Sequence, residues 1–277
     1  MSNADESPLV SVVMATYAGD SPDHLAEAVE SVLRQTHRAI ELMVVADGPL
    51  PVESQAYLSE RAQQDARIIL LSLPVSRGPA AARNLAIARA NGNFIAILDA
   101  DDRALPYRLE LQLKFLQESG ADVVGSAYSI IDQHGHTSGV KAFPCEAHAI
   151  RRAIAFYNPI ANSTVMAKSE ALKSHPYPET FRYGEDYSLW ITLARAGFVL
   201  RNQPEALVEF RMDSRFLSRR RGVHRATTEL VNKLRTMPLY PAFLWPLVFC
   251  AAFGIAATRL LPTSLLSPFY WLRSKLA

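Results

Sequence analysis

The sequence predicts an α/β protein whose mostly parallel sheet carries helices on both faces. Three observations support this. Strand-like and helix-like patterns alternate over the first hundred residues, the strand patterns are nearly continuous in apolar character, and Gly, Pro and Asp separate them. Parallel strands need crossover helices, and a strand covered on both faces loses the polar–apolar alternation of a half-exposed one.

Each element follows in order. "LVSVVMAT" (Leu9 to Thr16) is β-branched and apolar, a strand. "SPDHLAEAVESVLRQ" (Ser21 to Gln35) opens on a Ser-Pro start signal and repeats Leu25, Ala28, Val29, Val32 and Leu33 at helical spacing. "IELMVVA" is the second strand and stops at Asp47-Gly48-Pro49. A helix, the strand "RIILLSL" and a helix from Pro79 to Ala90 lead to "FIAILDADD" (Phe94 to Asp102). Beyond it come a helix from Pro106 to Ser119, the strand "DVVGSAYSI", a helix around Tyr187 to Ala196, and strands near "FVLRN" and "ALVEFRM". One domain is expected over 1–215, followed by a basic and apolar tail over 216–277.

Composition narrows the function. With 49% hydrophobic and 20% charged residues the chain is globular, and a net charge of +2 gives no reason to expect nucleic acid as a partner. Cys145 and Cys250 stand far apart in unlike surroundings, against a disulfide or a thiolate metal site. The start "MSNADESPLV" lacks a basic and apolar signal core, so no signal peptide is expected. Between Arg235 and Arg259 no charged residue occurs, over a length close to the roughly 20 residues that span a bilayer. Pro238, Pro241 and Pro246 crowd its first half and should break a helix there. Arg219, Arg220, Arg221, Arg225, Lys233 and Arg235 precede it, and Arg259, Arg273 and Lys275 follow; basic flanks attract anionic lipid heads. Membrane attachment through the tail is expected, with a buried helical hairpin as the alternative.

Ligands of open α/β sheets bind beyond the carboxyl ends of the strands. Three strands end there in polar residues: Thr16-Tyr17, Asp47, and Asp99-Ala100-Asp101-Asp102. One carboxylate of the last group, Asp101 or Asp102, could cap the helix after Pro106. That leaves the others in mutual repulsion, which a divalent cation would remove. Mg²⁺ or Mn²⁺ takes oxygen ligands and shares carboxylates with substrate phosphates, so a nucleotide diphosphate is the natural companion. Gly78-Pro79 starts a helix whose amides favour anions, with Arg83 and Asn84 within reach of a phosphate or ribose. Glu185-Asp186 open another helix; acids there complement the dipole, or take a proton from an attacking hydroxyl.

"VSVVMATY", "EAVESVLRQTH", "ELMVVADGP", "RGPAAARNLAIARANGNFIAILDADD" and "YGEDYSLWITLARAG" resemble, in order and spacing, the blocks of family 2 glycosyltransferases over about residues 9–215. "DGPL" and "NPIANSTVMAKSE" resemble a bacterial subgroup that builds capsule, exopolysaccharide or O-antigen chains. The resemblance implies a Rossmann-like GT-A fold and inverting transfer from a nucleotide diphosphate sugar, first of all a UDP-sugar, to a hydroxyl of a glycan or lipid-linked acceptor. It implies Thr16 and Tyr17 in the nucleotide pocket, Asp47 facing the base, and Arg83 near the nucleotide. It matches Asp99 and Asp101 to the Asp-x-Asp motif that holds Mn²⁺ or Mg²⁺, with Asp101 the direct ligand and Asp99 on the ribose side, and Asp102 as the third acid of the block. Asp186 matches the catalytic base, with Glu185 beside it. Many relatives carry two acids where this chain has Ala46-Asp47, which leaves base specificity open. Arg211 to Gly222 could bring cations to the diphosphate or face lipid. The implied location is the cytoplasmic side of the inner membrane, peripheral or tail-anchored. The alternatives are a nucleotidyltransferase, disfavoured because "TYAGDSPDHL" has no Arg or Lys to hold a triphosphate, and a non-catalytic nucleotide-sugar-binding subunit.

Overall fold

Strand β1 (Val10–Thr16) is the centre of the first half and pairs in parallel with β2 (Ile40–Asp47) on one side and β4 (Phe94–Ile97) on the other. β3 (Ile68–Leu73) extends the parallel set beyond β2. The structure, a computed structural model, describes residues 7–181, 183–212 and 222–260. Helices α1 (Pro22–Leu33), α2 (Val52–Gln64) and α3 (Pro79–Arg89) are the crossovers.

The alternating side chains of the strands feed two cores. Val13, Met43, Val45 and Ile97 pack against α3, while Val12, Met14, Leu42 and Val44 pack against α1 and α2. Ser21 is the residue before α1 and Pro22 its first, as the Ser-Pro pair predicts, although the Ser21 hydroxyl makes no capping bond. Gly78, at φ +93, and Pro79 start α3 in the expected place.

The second half departs from the mostly parallel sheet. Short β8 (Met166–Lys168) runs antiparallel between β4 and β6 (Val123–Ile131), and β7 (Thr137–Lys141) folds back on β6 as a hairpin. The strand order is β3-β2-β1-β4-β8-β6-β9-β5, where β9 is Leu200–Arg211 and β5 is Arg103–Ala104. β9 absorbs the two strands expected near "FVLRN" and "ALVEFRM". Its pairing with β6 skips from Gln203 to Ala206, a bulge that accommodates Pro204 without ending the strand. β4 is shorter than its apolar run suggests: Leu98 still donates to Val13 O, and the chain then leaves the sheet.

Helix α4 (Arg108–Ser119) is preceded by Tyr107 and has no side-chain cap, so neither Asp101 nor Asp102 serves it. Helices α5 (Ala147–Ala153) and α6 (Ser169–Ser174) cover the α3 face beside α7 (Glu185–Ala196). The last described elements are α8 (Val223–Arg235) and α9 (Trp245–Thr258), joined through short 3₁₀ turns at Met237–Leu239 and Ala242–Leu244, where the prolines interrupt the apolar run. Among the described residues no helix is long and apolar enough to cross a membrane. Glu229 of α8 binds Arg259 at the end of α9 at 2.9 Å, which ties the pair into a hairpin. The expected division at residue 215 falls outside the described residues.

Candidate active site

The parallel register brings Thr16, Asp47 and Asp99 to one edge of the sheet, because β1, β2 and β4 all end there. Thr16 Oγ1 and Tyr17 N both donate to Asp20 Oδ2 at 3.0 Å, so Asp20 shapes the turn that presents the Tyr17 ring to solvent. Burial raises Asp20 to about 6, helped by the nearby Asp99 charge and opposed by these two donors. The sequence signals Asp20 only as a turn residue.

Asp47 lies on the α3 face and is buried. Its carboxylate accepts from Ser76 Oγ at 2.8 Å, Arg77 N at 2.7 Å and Gly78 N at 2.9 Å. Here the anion favoured by the start of α3 is a side chain of the protein itself. Ala46 points to the opposite face and lines a half-open pocket of about 160 Å³ with Leu50, Leu58, Leu70, Gln55 and Ser72.

The three acids after β4 have three different fates. Asp99 accepts from Arg83 Nη2 at 2.7 Å and from Asn162 Nδ2 at 3.2 Å, while its own N–H donates to Ser163 Oγ. Asp102 turns inward and accepts from Arg211 N at 2.8 Å, and among the described residues its buried Oδ2 has no partner at hydrogen-bond geometry. Burial drives its carboxyl well above the usual range, and the neighbouring Asp101 and Asp99 add to this. Asp101 lies between them, raised to about 7 by burial and then by Asp99 and Asp20. Beneath the cluster Arg108 is fully buried, donates to Ile97 O, Val165 O and Gln112 Oε1, and is held down to about 9 by burial.

Arg83 joins the two acidic motifs. It is 7% exposed, and while Nη2 binds Asp99, Nη1 binds Glu185 at 2.9 Å. Ala80, Ala81 and Ala82 let α3 approach the sheet closely enough for this reach. The two carboxylates outweigh burial and raise the guanidinium's pKa. Asn84 does not face the site: it brackets the Tyr177 backbone with hydrogen bonds of 2.8 and 2.9 Å.

Asp186 follows Glu185 in the first turn of α7 and accepts from Asn158 Nδ2 at 2.8 Å. Burial, then Glu185, pushes its carboxyl up to about 6, with Arg83 pulling the other way. Asn158 and Asn162 thus fasten one acid each, Asp186 and Asp99, which gives "NPIANST" a physical role that spacing did not show. Tyr177 completes the set, donating to Asn162 Oδ1 at 2.7 Å with its ring beside Arg83.

Arg211 is committed inside the protein. Its Nε donates to Asp101 O, Nη1 to Asp132 O, and Nη2 to Glu27. This removes it from the segment expected to offer cations to a diphosphate; residues 213–221 of that segment lie outside the described residues.

Fold and edge together define the class: a GT-A-like α/β protein with acidic residues gathered at the carboxyl ends of its parallel strands. Residues 11–183 match the family described as Glycosyl transferase family 2. A Methanocaldococcus jannaschii protein described as an uncharacterized glycosyltransferase is 34% identical over 220 residues, covering 77% of this chain and 75% of that one. The amylovoran biosynthesis glycosyltransferase AmsE of Erwinia amylovora is 30% identical over 216 residues, covering 77% of this chain and 80% of its own. Among solved structures, TarS 1–349 of S. aureus in complex with UDP-GlcNAc matches with TM-score 0.66 at 15% identity, over 91% of this chain and 73% of that one. The mannosyltransferase PcManGT of Pyrobaculum calidifontis, in complex with GDP-Man and Mn²⁺, matches with TM-score 0.65 at 18% identity, over 97% and 81%. The chain belongs to glycosyltransferase family 2 and is a glycosyltransferase. The nucleotidyltransferase alternative is set aside by that membership.

Proposed function

We propose that the chain transfers a sugar from a nucleotide diphosphate sugar to a hydroxyl of a glycan or lipid-linked acceptor, with inversion, in bacterial surface polysaccharide synthesis. The observation that carries the proposal is Arg83, whose single buried guanidinium spans Asp99 and Glu185 and so sets the donor-side acids and Asp186 at one strand edge. Asp186 accepts the acceptor's proton as its oxygen attacks the anomeric carbon from the face opposite the departing diphosphate. A carboxylate at about 6 suits this: it is ionised at neutral pH yet more basic than an ordinary aspartate. Asn158 orients it, and Glu185, held by Arg83, keeps its basicity up. Thr16 and Tyr17 line the nucleotide side, Asp99 the ribose side.

The acid cluster fits a divalent cation. Its donors are all oxygen, and burial, then the neighbouring carboxylates, raise Asp101 and Asp102 in pKa, a crowding that a cation would relieve. Among the described residues no three His, Cys, Asp or Glu form a complete metal site. One or two carboxylates with diphosphate oxygens suffice for Mg²⁺ or Mn²⁺. Asp101, with Asp99, would hold the ion, which when bound would neutralise charge on the leaving diphosphate. A UDP-sugar is the first donor to test, since TarS 1–349 was solved with UDP-GlcNAc; PcManGT, solved with GDP-Man and Mn²⁺, makes a GDP-sugar the second. Asp47 is assigned to the base side with one lone pair beyond its three loop donors. The exposed apolar side of α9 is assigned to the cytoplasmic surface of the inner membrane.

The test pairs Asp186→Asn with calorimetric binding of UDP-, GDP- and dTDP-sugars in Mn²⁺ or Mg²⁺. Donor binding within about threefold of wild type and transfer reduced by at least about 10³-fold are expected, the upper range of a lost general base. Persistent transfer by the variant would show that Asp186 is not the base.

A further inference from the structure

Two features flank the Asp186 carboxylate, the turn into α7 and the Asn158 hydrogen bond, and neighbouring residues of α8 bind the backbone beside each. The first is the turn into α7. Gly184 has φ +69, a left-handed conformation that favours glycine, and its carbonyl accepts the first helical bond from Ser188 N at 3.0 Å. The same carbonyl accepts Asn232 Nδ2 at 3.1 Å. Asn232 is 1% exposed, and among the described residues its buried Oδ1 has no hydrogen-bond partner. Because the group opposite is a carbonyl, only the amide NH₂ can face it. A buried asparagine that leaves one end unsatisfied serves through its other end, and here that end is the donor to Gly184.

The second contact is Asn158, which donates to Asp186. Two residues before it, Phe156 O accepts Lys233 Nζ at 2.7 Å, and Ala155 O lies 3.4 Å from the same nitrogen. Lys233 is fully buried and is charge-balanced by Glu229 at 3.0 Å. Arg235, a further step along α8, donates to Ser188 Oγ and to Thr192 Oγ1 on α7. Burying a lysine and an asparagine together is costly unless their donors are used. Here they are used on the two backbone segments that flank Asp186 and its partner. The matched family segment ends at Tyr183, before this turn and well before α8.

We propose that Asn232 and Lys233 are positioning residues of the transfer reaction, fixing the Gly184 turn and the 155–158 segment relative to each other so that Asp186 and Asn158 meet in reactive geometry. On this account α8 is a working part of the active centre and not the start of an appended anchor. The proposal rests on Asp186 being the base, and the experiment separates the two.

Asn232→Ala and Lys233→Met are compared with wild type, with Asp186→Asn, and with Val223→Ala at an exposed α8 position as control. Transfer kcat, donor affinity by calorimetry and thermal midpoint are measured for each. Both α8 variants are expected to bind donor within about threefold of wild type while kcat falls about 10- to 100-fold, the scale of a misplaced reacting group. The control keeps full activity. Transfer by Asp186→Asn would overturn the base assignment and this proposal with it. An inactive Asp186→Asn beside α8 variants with kcat within about twofold of wild type would overturn this proposal alone. Loss of folding, or of donor binding in step with activity, in both α8 variants would also overturn it, since α8 would then serve stability only.

Discussion

A carboxylate at about 6 beside a second carboxylate makes a specific prediction about acidity. As pH falls through about 6, Asp186 takes up a proton and can no longer accept one, so kcat/KM should fall about tenfold per pH unit below that point. Glu185→Gln removes the neighbouring negative charge and frees Arg83 from one partner. Both changes favour the ionised form of Asp186, so the acid limb should move to lower pH; a limb that stays put or moves up would remove Glu185 from the account. The stability sign is opposite to that of an ordinary paired aspartate. An acid whose folded pKa lies above its unfolded value destabilises the fold once pH exceeds both, and the penalty disappears below the unfolded value near 3.8. The Asp186→Asn variant should therefore melt higher than wild type at pH 8 and level with it near pH 3, while losing transfer. On the proposed mechanism, stability and function pull apart at this residue.

At the scale of elements, Arg83 ties α3 to the end of β4 and to the start of α7. Lysine cannot replace it, since an ammonium offers no planar fork for two carboxylates on different elements. Arg83→Met should cost about 3 kcal/mol in urea unfolding, the low end for breaking a buried ion pair because the Asp99 side chain is 30% exposed. A loss under about 1 kcal/mol would show that the two acids repair themselves with water or protons. Much of this frame was legible in local pattern. The first four strands, the Gly78-Pro79 start of α3 and the polar strand ends follow from apolar runs and turn chemistry. What was not legible depends on meetings across distance. Asp102 reads as a helix cap yet binds the Arg211 backbone 109 residues on. Asn158, Asn162 and Asn232 are ordinary polar residues until the fold sets them against Asp186, Asp99 and Gly184. The β9 bulge and the antiparallel β8 were missed because a proline and a three-residue strand carry too weak a periodic signal.

Among the described residues, two surfaces of the molecule contrast in character: the acidic strand edge, and the outward side of α9. On α9, Val248, Ala252 and Ala256 recur every four residues and are buried, while Leu247, Phe249 and Phe253 are exposed, as is Phe243 in the turn before it. At 14 residues the helix is about 21 Å long, short of the roughly 30 Å of a hydrocarbon core, so it can lie in the interface but not cross it. Of the nine basic residues counted beside it in the sequence, four are described and engaged within the fold, and the other five lie outside the described residues. Lys233 is buried, Arg235 is bonded to α7, Arg259 is paired with Glu229, and Arg225 lies 3.6 Å over the Tyr183 ring. Attraction to anionic heads from these four is therefore reduced, and the prediction is that the apolar side chains of α9 dominate. Sedimentation with liposomes gives the test. The wild-type chain should pellet with neutral phosphatidylcholine vesicles and stay bound at high salt, where a purely electrostatic contact would be screened. Replacing Leu247, Phe249 and Phe253 together by serine should release it to the supernatant without lowering the thermal midpoint, because each side chain is at least 46% exposed. Each buried apolar side chain contributes about 1.5–3 kcal/mol when fully withdrawn from water, so three of them, even half inserted, change the partition by more than tenfold. A serine variant that pellets like wild type would move the membrane contact off α9, and wild-type binding lost at high salt would make it electrostatic.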